Sequence, residues 1–165
     1  VTELNIRPAR AGDLPAILET YRRARQFMRE HGDPDQWGDR WPPEPLVRED
    51  IRLARSQVVE AGGRLAGVFV FLPGPDPTYR VIEDGAWLSD APYGVIHRIA
   101  SAQVVPGVGR AAIGWAWQRI PHLRIDTHPD NVVMQNLLAG CGFQRCGIIH
   151  VPQDPAPRWA YEKLA

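Results

Sequence analysis

Two segments carry residue types able to do chemistry together. Val95 to Ala111, VIHRIASAQVVPGVGRA, runs from a strand-like stretch through Gly107-Val108-Gly109 into a helix-like one. Glycines at a helix entry let peptide N–H groups turn toward an anion, and the first turn adds partial positive charge, which is what a diphosphate needs. An ordinary helix-entry turn has the same spacing, so both readings stay open on this segment alone. Arg124 to Gly147, RIDTHPDNVVMQNLLAGCGFQRCG, places a polar turn, Thr127-His128-Pro129-Asp130, before a helix opened by Asn131. Capping accounts for Asp130 or Asn131 as readily as ligand binding does. His97 and His128 lie within these segments, and imidazole titrates near neutrality, which suits removal of a proton from an ammonium. His97, between Ile96 and Ile99, also reads as a satisfied group in a buried strand. His128 reads as an exposed residue of a polar turn. Trp37, Trp41, Trp87 and Tyr93 fall in loops, where aromatic rings either line a pocket or pack the loop onto a sheet. Arg98 either pairs with an acidic acceptor group or bonds a neighbouring strand.

The elements that position these residues follow from periodicity. Leu4 to Arg7 alternates as a strand, and Asp13 is placed to cap a helix over about Leu14–His31, whose apolar residues recur at three and four. Asp33 to Pro45 holds four prolines and is expected to be an irregular loop before a short helix at about Leu46–Arg55. Gln57 to Glu60 and Arg64 to Leu72, joined at Gly62-Gly63, read as a hairpin. A short strand is expected within Tyr79–Trp87, then a strand at Val95–Ala102 and a helix from Val108 to about Arg119. A strand follows at Leu123–Thr127, a helix at Asn131–Cys141, and strands at Phe143–Val151 and Arg158–Leu164. This order predicts an α/β (α+β) fold in one domain over residues 1–165, a mixed central sheet of about six to seven strands with helices on both faces.

Composition sets the outer bounds. At 165 residues and 44% apolar the chain has material for one core. Acidic and basic residues balance at 19 each, and no basic stripe supports nucleic-acid binding. Val1 to Pro8 lack the features of a signal peptide, and no apolar run approaches the roughly 20 residues of a membrane span. A cytoplasmic protein without membrane contact is expected. Cys141 and Cys146 lie in apolar stretches and read as packing thiols, with no companions to suggest a metal site. A nucleotide-binding dehydrogenase is disfavoured, because its glycine loop follows the first strand and carries a third glycine.

Taken together, strand, glycine loop, helix, strand, Asn-initiated helix and the Gly142-Phe143 exit resemble the acetyl-CoA-binding half of the Gcn5-related N-acetyltransferases. The opening Ile6-Arg7-Pro8-Ala9 with Asp13-Leu14-Pro15-Ala16-Ile17 is similar to that family's usual start, and the resemblance is nearly chain-wide. A bacterial branch has close counterparts of Trp87, His97-Arg98-Ile99-Ala100 and Thr127-His128-Pro129-Asp130-Asn131. The resemblance implies acetyl-CoA as co-substrate, held by main-chain groups of Ile99, Ala100 and Ser101 along the pantetheine arm. It implies the amides of Gly107, Val108, Gly109, Arg110 and Ala111 at the diphosphate, with Asn131 reaching the arm from the opposite side. A main-chain amide near Ile99 or Ala100 would polarise the thioester carbonyl. His97 and His128 are the candidate bases, and Trp37, Trp87, Tyr93 and Arg98 the candidate acceptor contacts. The acceptor would be an amine of a small molecule or a protein N-terminus, with an exposed edge strand or the proline-rich loop as a candidate homodimer surface. Two departures stand out. Val104 occupies the loop position where the family has Gln or Arg, in a loop about two residues short. Leu138 occupies the helix position where many members place a thiolate-protonating tyrosine. An acyl-CoA or amino-compound binder without turnover is therefore the alternative.

Overall fold

In a computed structural model that describes residues 3–165, eleven regular elements build one seven-stranded sheet flanked by helices. Val1 and Thr2 of the opening stretch lie outside the described residues. Strand β1 is Leu4–Pro8, followed by helices α1 (Leu14–Glu30) and α2 (Glu44–Arg52). Strands β2 (Ser56–Ala61), β3 (Arg64–Pro73) and β4 (Gly94–Ser101) lead to α3 (Val108–Arg119). Then come β5 (His122–Thr127), α4 (Val132–Gly140), β6 (Gln144–Val151) and β7 (Asp154–Leu164).

The sheet order is β1-β2-β3-β4-β5-β7-β6. Every neighbouring pair is antiparallel except β4 and β5, which run parallel. Strand alternation sends side chains to two cores. Val58 and Val68 face α1 and α2, where Ile17, Tyr21, Ala24 and Val47 are buried. Val59 and Phe69 face the other way, onto Val108, Ala112, Ile113 and Ala116 of α3. The 3–4 spacing in α1 and the period of two in β2 and β3 are therefore two halves of one interface.

Three boundaries differ from the sequence reading, each for a local reason. Helix α2 starts at Glu44, because Pro43 serves as an extended N-cap and Pro45 is tolerated in a first turn that needs no N–H partner. Within Tyr79–Trp87 there is a 3-10 turn at Pro77–Tyr79 and one bridge, Glu83 to Ile148, rather than a strand. β7 begins four residues before Arg158 despite Pro155 and Pro157. Its pairing with β5 starts only at Trp159, opposite Thr127, so the prolines sit where no β5 carbonyl needs a donor.

Candidate active site in the parted sheet

The parallel pairing of β4 with β5 consists of Gly94 with Leu123 and Val95 with Arg124, and then stops. From Ile96 onward the β5-facing edge of β4 has no strand partner, although β4 continues to Ser101. A parted parallel pair leaves peptide groups free to bind a ligand in a buried setting.

The local cause is a bulge in β4. His97 pairs with Val70 and Ala100 with Val68, so Arg98 and Ile99 together oppose Phe69. Arg98 takes a left-handed conformation at φ +49°, which disfavours a side chain with a Cβ. It is held there from two sides. Asp50 of α2, itself 1% exposed, accepts from Arg98 Nε and Nη2 at 2.8 and 2.9 Å. The Tyr21 hydroxyl of α1 donates to the Arg98 carbonyl at 2.9 Å, and burial pushes that hydroxyl well up, so it keeps its proton. Thus Arg98 acts on the backbone of its own strand.

Cavities open on either side of the gap. One, of about 240 Å³, is lined by Ile99, Ala100 and Ser101, by Gly107, Val108 and Gly109, and by Asn131 and Met134 of the opposite wall. Gly107 is the left-handed N-cap of α3 at φ +89°, a conformation suited to glycine. A Cβ on Gly109 would stand 2.5 Å from Leu137 Cδ2, so glycine there keeps α3 close to α4. The Ala111 N–H already donates to Gly107 O at 3.0 Å. The N–H groups at the open end of α3 are those of Val108, Gly109 and Arg110, and Ala111 stands outside that set. Asn131 caps α4 by accepting from Met134 N at 3.0 Å and donates to Gln36 Oε1 at 2.9 Å, so one hydrogen of its amide remains for the cavity.

The second cavity, of about 280 Å³, is lined by Trp37, Trp41, Asp76, His97, Arg98, Asp126 and Arg158. It shares Met28, Ile99 and Met134 with the first, and the two spaces meet there. His97 Nε2 lies 2.6 Å from Asp76 Oδ2. Burial alone would raise Asp76, but hydrogen bonds from His97 and from the Thr78 hydroxyl and N–H outweigh it and hold the carboxyl down at about 2. With Asp76 ionised, Nε2 is the donor, which leaves Nδ1 as the basic nitrogen.

His128 is placed differently from the sequence reading. It is 5% exposed rather than exposed, and its Nδ1 accepts the Asp130 N–H at 3.0 Å, fixing the other nitrogen as the protonated one. It lines neither cavity. Trp37, 8% exposed, meets Tyr21 edge-on at 5.7 Å and also lines the second cavity, so packing and lining hold together. Trp87 and Tyr93 stand elsewhere. They flank the Arg124 guanidinium at 4.1 and 4.0 Å and border a separate recess. Leu138 is fully buried. Cys146 is buried, which pushes its thiol up to about 11, an inert packing group.

Sequence reasoning missed Asp76, Asp50, Gln36 and Asp33. Asp76 lies in a Gly-Pro-Asp-Pro stretch and Gln36 in the proline-rich loop, where turn chemistry explains polar residues without a site. Only Asp50, a carboxylate at a helix position facing Val47, carried a signal, since an acid on an apolar face calls for a buried partner.

No family model matches the chain. The chain is 28% identical over 156 residues to the Escherichia coli peptidyl-lysine N-acetyltransferase YiaC, covering 93% of this chain and 92% of that protein. A Streptococcus agalactiae acetyltransferase of the Gcn5-related type superposes with a TM-score of 0.83 at 28% identity, covering 98% of this chain and 95% of the other. The Salmonella typhimurium protein YncA, solved with its cofactor acetyl-CoA, shares the fold at a TM-score of 0.62 and 15% identity, over 98% of this chain and 92% of its own. The parted strands, the glycine-capped helix and these relatives agree: the chain is similar in sequence and fold to acetyltransferases of the Gcn5-related type.

Proposed function

We propose that this acetyltransferase moves an acetyl group from acetyl-CoA to a primary amine by direct attack, with the thioester in the gap between β4 and β5. One observation carries the reading: two cavities on opposite sides of a parted sheet meet at Met28, Ile99 and Met134. A carrier entering from one side and an amine from the other would come together there.

The diphosphate lies on the N–H groups of Val108, Gly109 and Arg110, at the positive end of α3. The amine enters beside Trp37 and His97, and His97 Nδ1 takes a proton from the ammonium. The free amine attacks the thioester carbonyl. The developing oxyanion accepts a main-chain N–H of Ile99 or Ala100, a type of contact worth about 3–4 kcal/mol per donor. The tetrahedral species collapses with cleavage of the C–S bond, and the CoA thiolate takes its proton from solvent, because Leu138 supplies none. The name of the E. coli relative, a peptidyl-lysine N-acetyltransferase, supports a lysine side chain as a further candidate acceptor beside small amines and protein N-termini.

The test is acetyl-CoA-dependent thiol release against lysine peptides, peptides with free N-termini and small amines. Turnover with at least one class is expected. Acetyl-CoA binding without thiol release across the whole set would point instead to a non-catalytic acyl-CoA binder.

A further inference from the structure

The cavity on the acceptor side of the gap holds more hydrogen-bond donors than its own residues use. Gln36 and Trp37, both 8% exposed, line it together with Trp41 and Arg98. Among the described residues, Gln36 Nε2, Trp37 Nε1, Trp41 Nε1 and Arg98 Nη1 have no hydrogen-bond partner. Each keeps accessible surface, since the fully buried side-chain atoms without a partner belong to Asp33 and Gln57 alone. The sense of the Gln36 amide is fixed by its neighbours. Its Oε1 accepts from Asn131 Nδ2 at 2.9 Å, and Asn131 Oδ1 already accepts from Met134 N, so the two amides meet in this sense only. The Thr127 hydroxyl and the His128 N–H approach the same Gln36 oxygen at 3.4 Å. Nε2 is the end left unpaired.

The carboxylates lining the same space are already engaged. Asp76 accepts from His97 at one oxygen and from Thr78 at the other. Asp126 accepts from the Tyr79 hydroxyl at 2.7 Å and from Arg158 Nη1 at 3.4 Å. Arg158 is held further by Asp154 and by the Gln36 carbonyl. Charge divides unevenly as well. Asp50, 1% exposed, serves two guanidiniums, Arg98 and Arg55, so that group of three carries net positive charge. Asp76, Asp126 and Asp154 outnumber Arg158, so the flank beside His97 carries the opposite sign.

This pattern selects the acceptor. Buried donors without partners disfavour a ligand that has nothing to pair with them, and they favour one that brings oxygen atoms. A carboxylate matches both the surplus of N–H groups and the positive charge around Arg98, because guanidinium to carboxylate is among the strongest hydrogen-bonded pairings. The ammonium of the same molecule matches the flank of His97 and Asp76. A volume of about 280 Å³ is of the size that takes a small ligand. A lysine side chain within a peptide brings an ammonium and a methylene stem but no anion.

We infer that the acceptor is a free amino acid, its carboxylate received by Gln36 Nε2, Arg98 Nη1 and the indole N–H groups of Trp37 and Trp41; this deepens the acetyl-transfer reading above and rests on it. The N–C bond forms as the C–S bond breaks. The ammonium gives up two protons, the first to His97, and the CoA thiolate takes one from solvent, so the products are an N-acetyl amino acid, CoA and one proton. Acetyl-CoA-dependent thiol release tests it with the common free amino acids, the carboxamide of each, and a lysine peptide blocked at both ends. At least one amino acid is expected to show kcat/KM roughly tenfold or more above its carboxamide, as for a hydrogen bond to a charged group. Gln36→Glu keeps an oxygen facing Asn131 and puts a second oxygen in place of Nε2. It is expected to lower that ratio roughly tenfold, mainly by raising KM for the amino acid. Equal loss with amino acid and carboxamide would overturn the inference, by showing a structural role. Wild-type protein that uses carboxamides or the blocked peptide as well as free amino acids would overturn it and leave the parent reading standing, whatever the fate of the variant. Acetyl-CoA binding with no thiol release for any amine would overturn both.

Discussion

His97 has one ring nitrogen committed to an ionised Asp76, and the residue lines the cavity through which the proposed acceptor would enter. That arrangement orients the ring, as an orienting carboxylate does for a histidine base. His97→Gln is therefore expected to lower kcat by at least about 10²-fold and to leave acetyl-CoA affinity nearly unchanged, checked by steady-state kinetics beside direct titration. Asp33, buried just beyond α1, costs stability when ionised. Its folded carboxyl is raised from 3.8 to about 6, so the native state holds more protons than the unfolded chain in that window, and stability falls as pH rises through it. Asp33→Asn should raise the melting temperature by roughly 2–4 °C at pH 7.5, with the gain vanishing below pH 4, in parallel thermal scans. His97 and Arg98 were legible as polar residues in an apolar strand. Asp76 was not, because its partner lies 21 residues away across a loop whose path no local pattern fixes. His128 was legible as a residue type and misread as exposed, since its burial comes from the distant loop carrying Asp33 and Gln36.

Among the elements, β4 and the start of α3 matter most. The bulge at Arg98 turns an ordinary central strand into an edge, and its Asp50 and Tyr21 restraints come from the two helices preceding the sheet's hairpin. Nothing in the pattern of Val95–Ala102 announces it, because a bulge adds one residue without altering composition. The glycine at the entry to α3 was plainly legible, and so were the period of α1 and the Asn131 cap. Gly107→Ala places a Cβ at φ +89°, at a cost of about 1–2 kcal/mol. The variant should lose that much stability in denaturant titration and should weaken acetyl-CoA by distorting the N–H groups of Val108 and Gly109.

Across the whole molecule, two antiparallel blocks, β1 to β4 and β5-β7-β6, are joined by two residue pairs. The joint needs support from outside the ladder. Glu162 of β7, fully buried, provides it by accepting from His122 and Arg124 of β5 and from Leu88 N of the loop before β4. Burial would raise Glu162, but these donors outweigh it and hold it below 4.5. Its contribution is therefore present above pH 4.5 and lost as pH falls through the lower folded value. Glu162→Gln should cost about 3 kcal/mol at pH 7 and less at pH 3, by denaturant titration at each pH. The order of helices and strands in the sequence made the mixed sheet legible. The two-pair joint was not, since register between distant strands depends on packing around groups such as Glu162.

The most direct measurement is amide-resolved NMR of the labelled protein titrated with acetyl-CoA. The account predicts the largest shifts at Ile99, Ala100, Ser101, Val108, Gly109 and Arg110, on one edge of β4 and the open end of α3. Shifts confined to β6 and the outer face of β7, with those six amides unmoved, would contradict it.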